Sequence, residues 1–237
     1  MVSKKTEKEN LLKELKSFAN PEKARLLQRF FKTGPGEYAQ GDIFWGIAVP
    51  DTRKVTAKYS DISFEETESL LKNPIHEARL AALLILVKQS KNDPKAAYEI
   101  YLRNTKYINN WDLVDLSAEH VIGAYLEGKD KTILKKLTQS KSLWERRIAI
   151  MATFHFIKKR EPGLTLEIAR NLLEDKEDLI QKAIGWMLRE VGKRCSQKIE
   201  EDFLEEYANK MPRTMLRYAI ERFPEKQRKY YLNLKNV

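Results

Sequence analysis

Cysteine is nearly missing from this sequence: Cys195 stands alone in 237 residues. One thiol excludes a disulfide framework and a cysteine zinc site, and it suits a reducing, cytoplasmic setting. Histidine is scarce as well. His76, His120 and His155 have no metal-ligand spacing to one another, so all three read as structural and neither a metal nor a cofactor is expected. No apolar run approaches the ~20 residues that crossing a bilayer requires, so no membrane partner is expected. The opening MVSKKTEKENLLKELKSF is lysine-rich and helical in pattern, without the apolar core of a signal peptide. Alternating stretches that would argue for strands are also lacking.

What is present is a sequence of 42% hydrophobic residues, enough for a sizeable core, with 33% charged residues interleaved throughout. The net charge is +10 and it is unevenly spread. Residues 1–60 carry 12 Lys and Arg against 7 Asp and Glu, and residues 210–237 carry 8 against 2. The middle of the chain is close to balanced. Basic ends suit a polyanionic partner, and equally a solvated basic surface.

Five segments share one shape: NPIHEARLAALLIL from Asn73, NNWDLVDLSAEHVI from Asn109, SLWERRIAIMATFH from Ser142, EDLIQKAIGWMLRE from Glu177 and MPRTMLRYAIERFP from Met211. Each opens on a polar, turn-like stretch and continues as an amphipathic helix. Aligned on Arg79, Asp115, Arg147, Lys182 and Arg217, they recur every 36, 32, 35 and 35 residues, the length of a two-helix unit in an α-solenoid. Further helical patterns lie between them, separated by Asn92-Asp93-Pro94, Gly128-Lys129-Asp130 and Glu161-Pro162-Gly163. The expected fold is therefore all-α: a solenoid of about five to six helical hairpins with a curved, basic, concave face. It forms one domain over 1–237, in which 1–60 caps repeats over 61–237. Gly34-Pro35-Gly36 interrupts the cap, and WGIAVPDTRK reads as a loop leading into a helix.

The aligned column is polar in every segment, and Asp115 is its one acid. Beside an arginine a carboxylate stays ionised. Trp111 precedes Asp115 by four residues, Trp144 precedes Arg147 by three, and Trp186 follows Lys182 by four. A tryptophan at helical spacing usually fills core. Grouped with an Asp and an Arg, these indoles could instead wall a site for a flat, cationic ligand.

At these residues the sequence resembles the AlkD-like DNA glycosylases, a bacterial DNA alkylation-repair family built of HEAT-like repeats. NNWDLVD, LWERRIAI, LIQKAIGWMLRE, FWGIAVPDTRK and MPRTMLRYAIERFP carry the resemblance, over roughly residues 18–230. It implies a monofunctional, monomeric glycosylase. Such an enzyme cuts the bond between deoxyribose and a purine made cationic by alkylation at N3 or N7 in duplex DNA, with water as nucleophile. It implies Asp115 as the catalytic carboxylate, with Trp111 and Arg147 beside it. It implies DNA contacts from Trp186, Lys182, Arg146, Arg53, Arg213 and Arg217. It also implies a grip on the sugar-phosphate backbone without a deep base-reading pocket. A cationic base leaves readily, so the remaining need is a fixed charge facing an oxocarbenium-like sugar. Two other readings compete: a solenoid that binds DNA without excision, and a protein-binding scaffold. A Schiff base on Lys182 is a further route. Tyr230 and Tyr231, next to Arg228 and Lys229, suit a DNA contact or a solvated tail.

Overall fold

A computed structural model describes residues 6–234 of the chain. Lys4, Lys5 and Lys235, part of the basic ends, lie outside the described residues. The described residues are helical, with one isolated bridge between Ile43 and Ile75, and they divide into two compact units, Met1–Ser117 and Ala118–Val237. The fold is the all-α helical-repeat class that the sequence pattern implies.

The first unit contains α1 Glu7–Lys16, α2 Pro21–Phe30, α3 Val49–Lys58, α4 Phe64–Leu71, α5 His76–Gln89, α6 Pro94–Arg103 and α7 Trp111–Asp115. Local chemistry sets the starts. The Thr6 hydroxyl accepts from the Glu9 amide while the Glu9 carboxylate accepts from the Thr6 amide, a reciprocal cap. Asn20, Ser63 and Asp93 cap α2, α4 and α6, with Pro21 and Pro94 placed where a missing N–H costs nothing. α5 is the centre of the unit. Eleven of its 14 residues are buried, and α3, α4, α6 and α7 pack on it. Each fully buried Leu or Ile there contributes about 1.5–3 kcal/mol.

The expected loop before α3 is present, and α5 holds it. The buried Glu77 carboxylate accepts the amides of Trp45, Gly46 and Ile47 at 3.0, 2.8 and 3.1 Å. Gly46 sits at φ 81°, and a Cβ there would lie 2.1 Å from the Asn20 carbonyl oxygen, so only glycine lets this loop meet the start of α2.

The second unit opens on a π-helical turn, Glu119–Gly123, then runs through α8 Thr132–Thr138, α9 Leu143–Ala152, α10 Phe154–Lys158, α11 Gly163–Asn171, α12 Asp178–Arg194, α13 Gln197–Tyr207, α14 Arg213–Ala219 and α15 Glu225–Asn233. α12 is its centre, packed on by α9, α10, α11, α13 and α14. A Cβ on Gly185 would lie 2.4 Å from the Met215 carbonyl oxygen, which is how closely α12 and α14 approach. No described helix is long and apolar enough to cross a membrane.

Candidate active site

Three of the repeats share a hydrogen-bonded signature at the start of their helix. A short side chain takes the amide two residues on: Asn73 from Ile75 at 2.9 Å, Ser140 from Ser142 at 3.0 Å, and Asp175 from Glu177 at 2.9 Å. Six residues after that turn, a donor reaches back to its carbonyls. Arg79 Nη1 bonds the Asn73 and Pro74 oxygens at 3.0 and 3.1 Å. Arg146 Nη1 bonds those of Ser140 and Lys141 at 2.9 and 3.2 Å, and Gln181 Nε2 bonds that of Asp175 at 2.9 Å. Arg79, Arg146 and Gln181 each stand four residues after their caps, Ile75, Ser142 and Glu177, so in the aligned column it is Arg79 that is out by one residue relative to Arg147 and Lys182. Sequence spacing alone cannot separate two adjacent arginines, because each continues the same 3.6-residue pattern.

In the Asp115 repeat the turn differs: Asn110 caps α7 and its Oδ1 accepts the Trp111 amide at 2.8 Å, while Asn109 Oδ1 accepts from Arg79. Counted from that cap, Val114 is level with Arg79, Arg146 and Gln181, and Asp115 is level with Arg147 and Lys182.

Buried bonds fix both ends of α7. On the N-terminal side, His76 is 1% exposed and bridges two carboxylates, its Nδ1 2.9 Å from Asp42 and its Nε2 2.9 Å from Asp112. Arg79 Nη2 pairs with Asp42 and also donates to Asn109 Oδ1 at 3.1 Å. Burial pushes the imidazolium down, but Asp112 and Asp42 together outweigh it and raise His76 to about 9. Burial raises Asp42, yet His76 and Arg79 more than offset this and hold its carboxyl below the usual range. On the C-terminal side, the Ser117 hydroxyl gives its one proton to the Leu113 carbonyl at 2.5 Å, so the Tyr101 hydroxyl, 3.0 Å away, donates to Ser117. Burial, and the nearby negative charge of Asp115, push Tyr101 upward and keep it protonated, against the lowering effect of Ser117.

Trp111 is half-buried. It stacks on Phe31 at 5.3 Å and meets the edge of Phe30 at 6.0 Å. Phe31 stacks on Phe44 at 5.0 Å, and Phe44 on the His76 ring at 4.3 Å. Sequence reasoning misses this aromatic group and the His76 bridge. Nothing local marks His76 as more than structural, because Phe30, Phe31, Phe44, His76 and Trp111 meet only in the folded unit.

The second unit carries the remaining candidates. Arg147 is 5% exposed, with Nη1 donating to the Leu179 carbonyl. Arg146 Nε lies 2.6 Å from Asp175. Lys182 pairs with Asp178 at 2.6 Å, one turn back on α12. Trp186 is half-buried, 6.3 Å from Phe154, whose ring lies 4.6 Å from Lys158 Nζ and 5.2 Å from the Arg194 guanidinium. Trp144 is buried. Arg217 is exposed, and Arg213, also exposed, donates to the Leu232 carbonyl at 2.5 Å. Arg53 is exposed on α3 in the first unit.

The all-α helical-repeat fold defines the class. The family model described as DNA alkylation repair enzyme matches residues 11–223, and the chain belongs to that family. Among solved structures it is similar to a predicted DNA alkylation repair enzyme from Enterococcus faecalis, at 19% identity and TM-score 0.69, over 87% of this chain and 97% of that one. It is also similar to AlkD2 from Streptococcus mutans, at 15% identity and TM-score 0.55, over 86% of this chain and 98% of that one. At these identities the likeness speaks for the fold. Comparison with curated proteins gives no match.

Proposed function

We propose that this chain is a DNA glycosylase that hydrolyses the N-glycosidic bond of purines made cationic by alkylation at N3 or N7, leaving an abasic site. The observation that carries this reading is Asp115, an acid at the helix position where the next repeats place Arg147 and Lys182, on a helix pinned by buried bonds at both ends. A carboxylate placed there stabilises the oxocarbenium-like sugar and orients the attacking water. α7, held by His76 at one end and Tyr101 at the other, supplies the rigidity such stabilisation needs. Trp111, four residues before Asp115, addresses the same nucleotide from the same helix face. In this reading Arg147 holds a nearby phosphate. Trp186, Lys182, Arg146, Arg53, Arg213 and Arg217 contact duplex DNA, and the chain acts as a monomer.

No general acid enters this mechanism, so the leaving base must depart without a proton from the protein. The test is release of free base from duplexes carrying N7-methylguanine, N3-methyladenine or hypoxanthine. Both cationic lesions are expected to be released, and hypoxanthine is not. Efficient hypoxanthine release contradicts the mechanism, and retention of methylated duplex without release favours the DNA-binding alternative.

A further inference from the structure

Arg79 ties three loops of the first unit together from a buried position. Its guanidinium bonds the Asn73 and Pro74 carbonyls, pairs with Asp42 and donates to Asn109 Oδ1 at 3.1 Å. Around it, the loops before α3, α5 and α7 leave a cavity of about 220 Å³. That is below the ~300–1,000 Å³ of ordinary organic-ligand sites, and it suits a small polar ion with part of its water.

The hydrogen-bonding capacity left in its wall is mostly donor. Three side-chain amides line it, and each has given its oxygen to the protein. Gln40 Oε1 accepts the Gly36 amide at 2.8 Å, Asn73 Oδ1 accepts that of Ile75 at 2.9 Å, and Asn109 Oδ1 accepts from Arg79. What each keeps is an NH₂ with two protons to donate. Asn73 and Asn109 are half-buried, and neither amide nitrogen is shut away from solvent. Asp42, the carboxylate in the wall, has one oxygen on His76 and the other on Arg79. Lys72 and Lys106 complete the lining, both exposed. Lys72 shares Glu68 with Arg103, which leaves that cluster with a positive charge in excess. Lys106 lies 4.9 Å from the Tyr107 ring and pairs with no carboxylate among the described residues.

Such a wall selects a ligand that only accepts hydrogen bonds and carries negative charge. A carboxylate presents its two oxygens in one plane, whereas a tetrahedral phosphate can meet donors that arrive from three separate loops. We propose that this cavity is a phosphate site, in which the amides of Gln40, Asn73 and Asn109 and the ammonium of Lys106 hold a phosphodiester of a nucleic-acid strand or a free phosphate ion. It does not rest on the glycosylase reading: neither Asp115 nor an alkylated base takes part. Asn109 stands two residues before Trp111, so a strand phosphate seated there would fix the strand against the end of α7 that His76 and Arg79 hold.

The test titrates the full chain with inorganic phosphate at constant ionic strength, with chloride as the balancing anion, and follows the side-chain amide NMR signals of Gln40, Asn73 and Asn109. Three variants accompany the wild type. Gln40→Glu and Asn109→Asp keep the oxygens that the Gly36 amide and Arg79 use, and replace each NH₂ with a charged oxygen. Lys106→Gln removes one charge. Circular dichroism checks that all three fold. Phosphate is expected to shift the three signals saturably and chloride alone is not. Each carboxylate variant is expected to weaken phosphate roughly tenfold or more, and Lys106→Gln roughly threefold. A short undamaged duplex is then added to the phosphate-loaded protein. Displacement of phosphate, with shifts at the same amides, assigns the site to a strand phosphodiester, and retention of phosphate assigns it to the free ion. Absence of a saturable shift, the same shifts with chloride, or unchanged binding in both folded carboxylate variants overturns the proposal.

Discussion

Replacing His76 by Gln probes how α7 is held. The imidazolium lies between Asp42 and Asp112 at 2.9 Å from each, with Arg79 on the far side of Asp42 and Glu77 next to it in the chain. His76 is raised to about 9 in the folded protein, against 6.5 for an unperturbed histidine. A folded value above the unfolded one means a stabilisation complete below about pH 6.5 and lost as pH rises through about 9. By proton linkage the charge contributes about 3 kcal/mol at pH 6, about 2 kcal/mol at pH 7.5 and nearly nothing at pH 10. Glutamine keeps a polar side chain but no charge, so the difference between wild type and His76→Gln should follow that decline. Urea unfolding at the three pH values, read by tryptophan fluorescence, measures it. Comparing variant with wild type cancels the pH response of groups that His76 does not touch. A difference of the same size at pH 6 and pH 10 would refute the reasoning, because His76 would then act by shape alone.

Glu200 is 3% exposed; burial, helped by Glu201 and opposed by Arg189, pushes its carboxyl up to about 8. An acid raised in this way destabilises the fold progressively as pH climbs from about 4.5 to 8, so Glu200→Gln should raise Tm at pH 9 and change it little at pH 5, and a lower Tm at pH 9 contradicts this. Binding to undamaged duplex should weaken steeply with salt and depend little on sequence. Replacing Arg213 and Arg217 with Ala should flatten the slope of log K against log salt by about 0.9 for each phosphate no longer neutralised, and an unchanged slope places the DNA elsewhere.

The helices themselves are legible in the sequence. DPKAAYEIYLRN forms α6 with Asp93 as its cap, and EDLIQKAIGWMLRE forms the long α12, because caps and 3.6-residue periodicity are local signals. NNWDLVDLSAEHVI reads as one helix, but α7 ends at Asp115 and a π-helical turn follows from Glu119, a change in winding with no mark in the pattern. In the aligned column Asp115, Arg147 and Lys182 stand level, five residues after their caps, and Arg79 is out by one. Choosing between Arg146 and Arg147 takes the carbonyls of Ser140 and Leu179, which only the fold brings near. Trp111 points to a site through its spacing from Asp115, whereas its stacking on Phe31 depends on a residue 80 positions away in sequence.

The central claim is that Asp115 carries the chemistry, and single-turnover release of N7-methylguanine from duplex DNA by Asp115→Asn tests it most directly. The amide keeps the shape of the side chain and removes the charge that faces the sugar. The rate should fall by roughly 10²–10³, as when a directly placed electrostatic partner is removed, while binding to the duplex stays intact or tightens. Release by Asp115→Asn at a rate near that of the wild type contradicts the account.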